Sequence, residues 1–309
     1  MINDYPGGRR FCKVALKGHA RYARYNILNL SKGYAGLTGL EDDVLDKVKD
    51  TNAFSLEFTL NPSHEHKDGS VVMAQAESLD QGNFMVAYYR GNLELKLQTE
   101  GHPFAGEAHR MFPLEPGKPH HVVITYTDGI LGYYLDGVGG QYNGIGGGLS
   151  SWTDRPLLFG RLVSGKFDFQ GNLEGIAIYS RVLSQVEAKQ HANRYAKRWA
   201  KRTPAEQFKV KARLTQVTPT PTAEAIAPYR SCLVSFAYEV IGGDLEPGEI
   251  VVRHWGMLDA KPVSLKSAVG EVADLVIERV EDHRELEGER VQRKIKVDEL
   301  LVEEFLDVK

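Results

Sequence analysis

Carboxylates and imidazoles recur at short spacings in the first half of this 309-residue chain. FSLEFTL (Phe54 to Leu60) carries Glu57 at its centre, and NLELKLQTE carries Glu94 and Glu100. Cleaving a glycosidic bond takes two carboxyl groups that flank it, one to deliver a proton and one to attack or to activate water. Glu94 and Glu100 stand at the middle and the end of one run and Glu57 stands alone, so no such pair is evident and Glu57 reads as exposed strand face. The histidines come as His64-Glu65-His66 and His120-His121. Two imidazoles start a zinc site only if further ligands arrive. None is marked here, and SHEHKDG reads as a solvated loop. A polysaccharide hydrolase or lyase with an unusual site, drawing on Glu57, Glu94 and His121, is one alternative.

Rings and amides suggest different chemistry. A sugar-holding surface combines flat aromatic faces with a few polar partners. Tyr88-Tyr89 and Tyr133-Tyr134 each send one ring inward and one outward by the period of a strand. Tyr142, Asn143 and Trp152 lie in or beside the glycine-rich stretch GVGGQYNGIGGGLSSW. The candidate ligand residues are therefore Tyr142, Asn143 and Trp152, with Tyr89 and Tyr134. A phosphate-binding glycine loop needs a following helix and usually a Lys-Ser/Thr pair. Neither follows, so this stretch is expected to be a mobile loop at a rim.

These residues must be positioned mainly by strands. FCKVAL, FSLEFTL, GSVVMAQ, NFMVAYY, LELKLQT, HHVVITY, LGYYLDG, PLLFG and LEGIAIY follow one another, separated by Gly, Pro, Asn and Asp. Many short strands with turns between them predict an antiparallel sandwich. Asp128-Gly129 and Asp136-Gly137 are read as hairpin turns. A short acidic helix is expected over Glu41 to Lys49. Ser184 with Glu187 forms a capping box that opens a helix running to Arg202. Its basic residues (Arg194, Lys197, Arg198, Lys201 and Arg202) read as a solvated face. A boundary is placed near 204, with the Pro-Thr region as a linker. SCLVSFAYEVI, EIVVRHWGML and EVADLVIERV then predict a small β-barrel-like domain, closed by a terminal strand or short helix. The expected domains are 1–203 and 204–309, both mostly β.

Composition bounds the partners. A net charge of −3 gives no global case for nucleic acid or an anionic membrane. No apolar run is long enough to span a bilayer. The two cysteines, Cys12 and Cys232, lie far apart, and two buried thiols or one bridge between domains are both open. The N-terminal residues carry no long apolar signal region, which suits a cytoplasmic protein or a fragment without its leader.

HHVVITYTDGILGYYLDGV (His120 to Val138), FDFQGNLEGIAIYSRVLSQVEAKQH (Phe167 to His191) and NAFSLEFTLNP (Asn52 to Pro62) resemble three segments of the LamG-like jelly-roll (concanavalin A-like lectin/glucanase) family, in order. The resemblance covers residues 10 to 195 and implies a jelly-roll β-sandwich. It further implies a calcium site at the sandwich edge, with Glu174 and Asn172 as the candidate ligands. Where the family carries Ile-Asp-Asp, this chain has Leu173-Glu174-Gly175, which removes one donor. The Glu-x-Asp-x-x-Glu run of the family's glucanases is missing. Pro228 to Val263 and Val276 to Val291 resemble a β domain of secreted planctomycete-type proteins related to SGNH hydrolases and alginate acetyltransferases. They are also similar to OB-like barrels of the netrin-like type. These resemblances imply an exported, periplasmic or cell-surface protein. The favoured function is non-catalytic recognition of a polysaccharide or glycoconjugate. It would direct an associated enzyme or join another domain or protein of the same exported system. A structural or adhesion module that binds protein and no sugar is the other alternative.

Overall fold

The computed structural model describes residues 2–4, 8–10, 14–37, 42–65, 68–265, 268–297 and 302–308, with backbone alone at 2–4, 8–10, 42, 43, 142 and 143. Cys12 and His66 lie outside the described residues. Two compact units emerge, one of residues 1–22 and 26–202, the other of residues 23–25 and 203–309.

The first unit is a sandwich of two seven-stranded sheets. A short pair, β1 (Ile2–Asp4) and β2 (Gly8–Arg10), precedes it. In chain order there follow β3 (Ala15–Gly18), β4 (Arg21–Ala23), β5 (Ile27–Asn29) and β6 (Gly33–Leu37). Helix α1 (Asp42–Thr51) leads into β7 (Ala53–Pro62), β8 (Ser70–Ala76), β9 (Gly82–Tyr89) and β10 (Asn92–Leu97). Next come β11 (His109–Pro113), β12 (His120–Thr127), β13 (Ile130–Leu135), β14 (Val138–Asn143), β15 (Leu157–Phe159) and β16 (Gly171–Tyr179). One sheet runs β11-β10-β9-β8-β15-β6-β3, the other β14-β13-β12-β7-β16-β5-β4. Every pairing registered within the two sheets is antiparallel, and helix α2 (Gln185–Ala200) follows the last strand.

Alternation sorts the side chains of the second sheet. Phe54, Leu56, Phe58 and Leu60 of β7 sit opposite Tyr126, Ile124, Val122 and His120 of β12, and all of these but His120 belong to the core between the sheets. Thr127-Asp128-Gly129-Ile130 and Leu135-Asp136-Gly137-Val138 are two-residue hairpins. In each, Asp and Gly both take positive φ, as a type I′ turn requires. Asp136 does more than turn, because its carboxylate accepts from His120 Nδ1 at 2.8 Å and from the His121 backbone N–H at 2.9 Å.

Two expectations change here. The glycine-rich stretch begins as strand β14, and the segment after it is anchored. The Tyr126 hydroxyl donates to Gly147 O, the Thr99 hydroxyl to Gly146 O, and the Leu149 backbone N–H to Asn52 Oδ1 at 2.9 Å. Ile145, Leu149 and Trp152 are buried, so this apolar spacing makes it a lining of the core. The other face of β7 and β12 is also covered: Ser55, Glu57, Thr59, His121 and Thr125 are all buried.

The second unit contains a closed barrel. Strand β17 (Gln207–Val217) pairs with β18 (Cys232–Gly243), which pairs with β19 (Gly248–Leu258); β23 (Glu304–Asp307) bridges β19 to β21 (Val272–Arg279), which returns to β17. Beside this ring, β20 (Lys261–Pro262) extends β19 and β22 (Arg290–Gln292) extends β18. A closed ring leaves no open edge among its five strands. Residues 207–217, not read as a strand from the sequence, are the first barrel strand, with Phe208, Val210, Ala212 and Leu214 inward. The short helix α3 (Ala223–Ile226) occupies the Pro-Thr region proper. Cys232 is a buried free thiol.

Candidate ligand-binding site beside helix α2

Helix α2 covers the outer face of the β7–β12–β16 sheet. Its capping box is formed, with the Ser184 side chain accepting from the Glu187 backbone N–H and the Glu187 carboxylate accepting from that of Ser184. Glu187 is also paired with Arg181 at 2.9 Å. The Arg181 hydrogen bond, with the Ser184 backbone N–H, pulls its pKa down to about 2. Ala188, Ala192 and Tyr195 are the buried residues of the helix, and His191, Tyr195, Arg198 and Arg202 recur on that side at helical spacing.

This face meets two buried carboxylates. Glu57 Oε1 accepts from His121 Nε2 and from His191 Nδ1, each at 2.9 Å, and Oε2 accepts from the Tyr179 hydroxyl at 2.6 Å. Burial works to raise the Glu57 pKa, but the hydrogen bonds from His121 and Tyr179 and the two imidazole charges outweigh it, and the net shift is downward. Burial beside this carboxylate pushes the Tyr179 hydroxyl up. The expectation of an exposed Glu57 fails because α2 lies over it. Glu57 and His121, two of the groups considered for catalysis, do come together. They do so beneath a helix, with every Glu57 oxygen engaged. Glu94 belongs to the opposite sheet and faces Arg110 at 3.6 Å.

The second carboxylate is Glu174. Arg202 grips both its oxygens, Arg198 Nη2 reaches Oε1 at 3.0 Å, and the Tyr195 hydroxyl donates to Oε2 at 3.3 Å. Asn172 Oδ1 accepts from Asn29 Nδ2 at 2.9 Å. These residues do not fit a calcium ion. Calcium needs six to eight oxygen donors, and here the carboxylate is held by two guanidiniums. Among the described residues no group of three His, Cys, Asp or Glu is placed to hold a metal. Gly175, which replaces a carboxylate of the family motif, has φ +60 at the bulge between Glu174 and Ala177. A left-handed backbone favours glycine there.

Where α2 passes β7 and β16, a shallow pocket of about 20 Å³ opens to solvent. Asn61 and Thr59 from β7, Asn172 and Glu174 from β16, and Tyr195 and Trp199 from α2 line it. The two rings lie 6.0 Å apart with 33° between their planes, and the Arg202 guanidinium stacks 4.6 Å from the Trp199 centroid. Asn61 Oδ1 is buried and has no partner among the described residues.

Of the ligand residues expected from sequence, Trp152, Tyr89 and Tyr134 do not converge. Trp152 is a core side chain, 1% exposed; it packs on Phe54 and Phe84, and its indole N–H donates to Gln98 O at 2.8 Å. It therefore presents no ring to a ligand. Tyr142 and Asn143 fall at the end of strand β14 rather than in a loop, and their side chains lie outside the described residues. Tyr89 is half-buried under Arg90 on the other sheet. Tyr134 is half-buried against the cluster of Val123, Tyr179 and Ala188. Only Asn172 and Glu174, proposed for a different purpose, reach the pocket. Sequence reading missed Tyr195 and Trp199, although their spacing of four on a helix put both rings on one face.

The family model of the concanavalin A-like lectin/glucanases superfamily matches residues 37–189. No curated protein matches. Among solved structures, the receptor-binding domain of botulinum neurotoxin C/D mosaic serotype is similar at 14% identity and a TM-score of 0.49. That alignment covers 74% of this chain and 66% of the neurotoxin domain, so the chain spans slightly less than two thirds of it. Domain 4 of an extracellular arabinanase from Geobacillus stearothermophilus, solved with arabinotriose, is 13% identical over 60% of this chain and 83% of that one, with a TM-score of 0.43. A heptameric SAP-like pentraxin from Limulus polyphemus is 14% identical over 58% and 80%, with a TM-score of 0.38. By this match, residues 37–189, just under half of the chain, are similar to domains of the concanavalin A-like lectin/glucanases superfamily.

Proposed function

We propose that the sandwich unit recognises carbohydrate without cleaving it, and that it serves to hold a polysaccharide or glycoconjugate for an associated activity. One observation carries this reading: the shallow pocket beside α2 is lined by Tyr195 and Trp199 together with Asn61 and Asn172, and Trp199 is half-buried at its mouth. A sugar ring has an apolar C–H face, which suits an aromatic ring, and hydroxyls, which suit neighbouring side-chain amides. A superfamily that includes lectins supports the same reading. No helix among the described residues is long and apolar enough to cross a membrane, and export to the periplasm or cell surface stays part of the proposal.

A glycan array with the intact chain tests it. Binding to a defined set of glycans is expected, with loss on Trp199→Ala and on Asn61→Ala in chains whose circular dichroism is unchanged. Release of new reducing ends from a bound polymer would replace this reading with the hydrolytic one. Binding that survives both substitutions would move the site elsewhere.

A further inference from the structure

Helix α2 carries two adjacent stripes. Tyr195, Trp199 and Arg202 form the one against the pocket, and Arg194, Arg198 and Lys201 form the next, at the same spacing of four and then three. Arg194 and Lys201 are exposed and have no partner among the described residues. The Arg198 side chain remains 60% exposed while it touches Glu174. Glu174, the pocket carboxylate, is outweighed by the two guanidiniums that hold it. The only acidic residue of α2 is Glu187, in its first turn and paired with Arg181. In a chain of net charge −3, this end of the helix is a local cationic rim. One or two cations would satisfy the negative end of a helix dipole. A stripe of three that runs parallel to the ring-bearing face is more than the dipole asks for.

We infer that the surface around this pocket takes an anionic glycan, its ring laid over the half-buried Trp199 at the pocket mouth and its carboxylate or sulfate directed to the exposed Arg194, Arg198 and Lys201. This rests on the carbohydrate reading of the same pocket. Recognition is a charge-assisted contact at a partly exposed site, so it adds selectivity and weakens as salt screens it.

The test compares oligogalacturonate with its methyl ester, the same sugar chain without the charge, by calorimetry on the intact protein. A keratan sulfate fragment, which carries sulfate and no carboxylate, separates the two anions, and a single-stranded oligonucleotide of equal charge reports unspecific attraction. The acid form is expected to bind about tenfold or more tighter than the ester. That ratio should collapse towards one between about 0.1 M and about 1 M salt, as the screening length falls from about 10 Å to about 3 Å. The double variant Arg194→Gln/Lys201→Gln should also collapse it, and Trp199→Ala should remove glycan binding of either form. Equal affinity for acid and ester overturns the inference and leaves the carbohydrate reading standing. Binding to no glycan overturns both. Oligonucleotide binding as tight as that of the acid form, and equally indifferent to Trp199→Ala, overturns the anionic-glycan assignment in favour of plain electrostatic attraction.

Discussion

Glu57 and His191 stand 134 positions apart in sequence and meet at 2.9 Å, Oε1 to Nδ1, between the β7 strand and helix α2. The same oxygen holds His121 and its neighbour holds Tyr179, so one carboxylate ties three strands to the helix above them. Glu57→Ala should strand two imidazoles and a phenol beneath α2. Removing one partner of a buried ionic network costs about 3–5 kcal/mol. Denaturant titration should show that loss, and an unchanged midpoint would mean that the helix is held by its apolar contacts alone.

Acid should loosen the same junction. The folded chain holds the Glu57 pKa below its ordinary value of 4.5, so folding favours the ionised form. Glu187 adds to this with a value of about 2. Both contributions are complete above about pH 5 and drain away as pH falls through the folded values. Stability against pH should therefore slope downward below about pH 5, and Glu57→Gln should flatten that slope as well as lower the plateau. A wild-type slope that persists in full after Glu57→Gln would assign the acid sensitivity to other groups.

The two tryptophans in question should separate cleanly. Trp152→Ala removes a fully buried ring from the aromatic core and should cost about 3–5 kcal/mol. Trp199 is half-buried at the pocket, so Trp199→Ala should cost less stability and more affinity. Thermal unfolding and glycan titration on the two variants give opposite rankings if this division is right.

The contrast between these residues also shows what sequence can carry. Strand period and turn chemistry are local properties, so HHVVITYTDGILGYYLDGV announced its two type I′ hairpins and its core face. Alternation tells which residues share a face but not what covers that face. Glu57 read as solvent-exposed because its cover, His191 of α2, arrives 134 positions later. Trp152 read as a ligand residue because glycines surround it, yet Ile145 and Leu149 before it already spelled a buried segment. In QFKVKARLTQV the alternation was plain, and the neighbouring prolines and threonines obscured it. The pocket was the least legible feature. Asn61, Asn172, Tyr195 and Trp199 belong to three elements, and only the packing of α2 across β7 and β16 brings them together.

Gly175 should resist substitution even though space is available. An added Cβ would meet nothing closer than Arg198 Nη2 at 4.0 Å, but φ is +60. Side chains other than glycine find that conformation unfavourable by about 1–2 kcal/mol. Gly175→Ala should show a loss of that size in equilibrium unfolding. A neutral result would mean that the bulge relaxes and that the glycine is not required by its backbone.

Glu174 decides between a calcium ligand and an ion-pair anchor. Arg202 is almost buried, with 10% of its side chain exposed, and it grips the carboxylate in two places. If the pair is an anchor, Glu174→Gln leaves a buried guanidinium short of its counter-charge and should cost about 3 kcal/mol. A calcium ligand behaves otherwise. An ion that binds only the folded state raises stability in proportion to the logarithm of its concentration. Added calcium should thus leave the unfolding temperature of the wild-type chain unchanged, and chelator should leave glycan binding intact. An unfolding temperature that climbs with calcium, and ceases to climb in Glu174→Gln, would return this carboxylate to the metal, with the two arginines displaced from it.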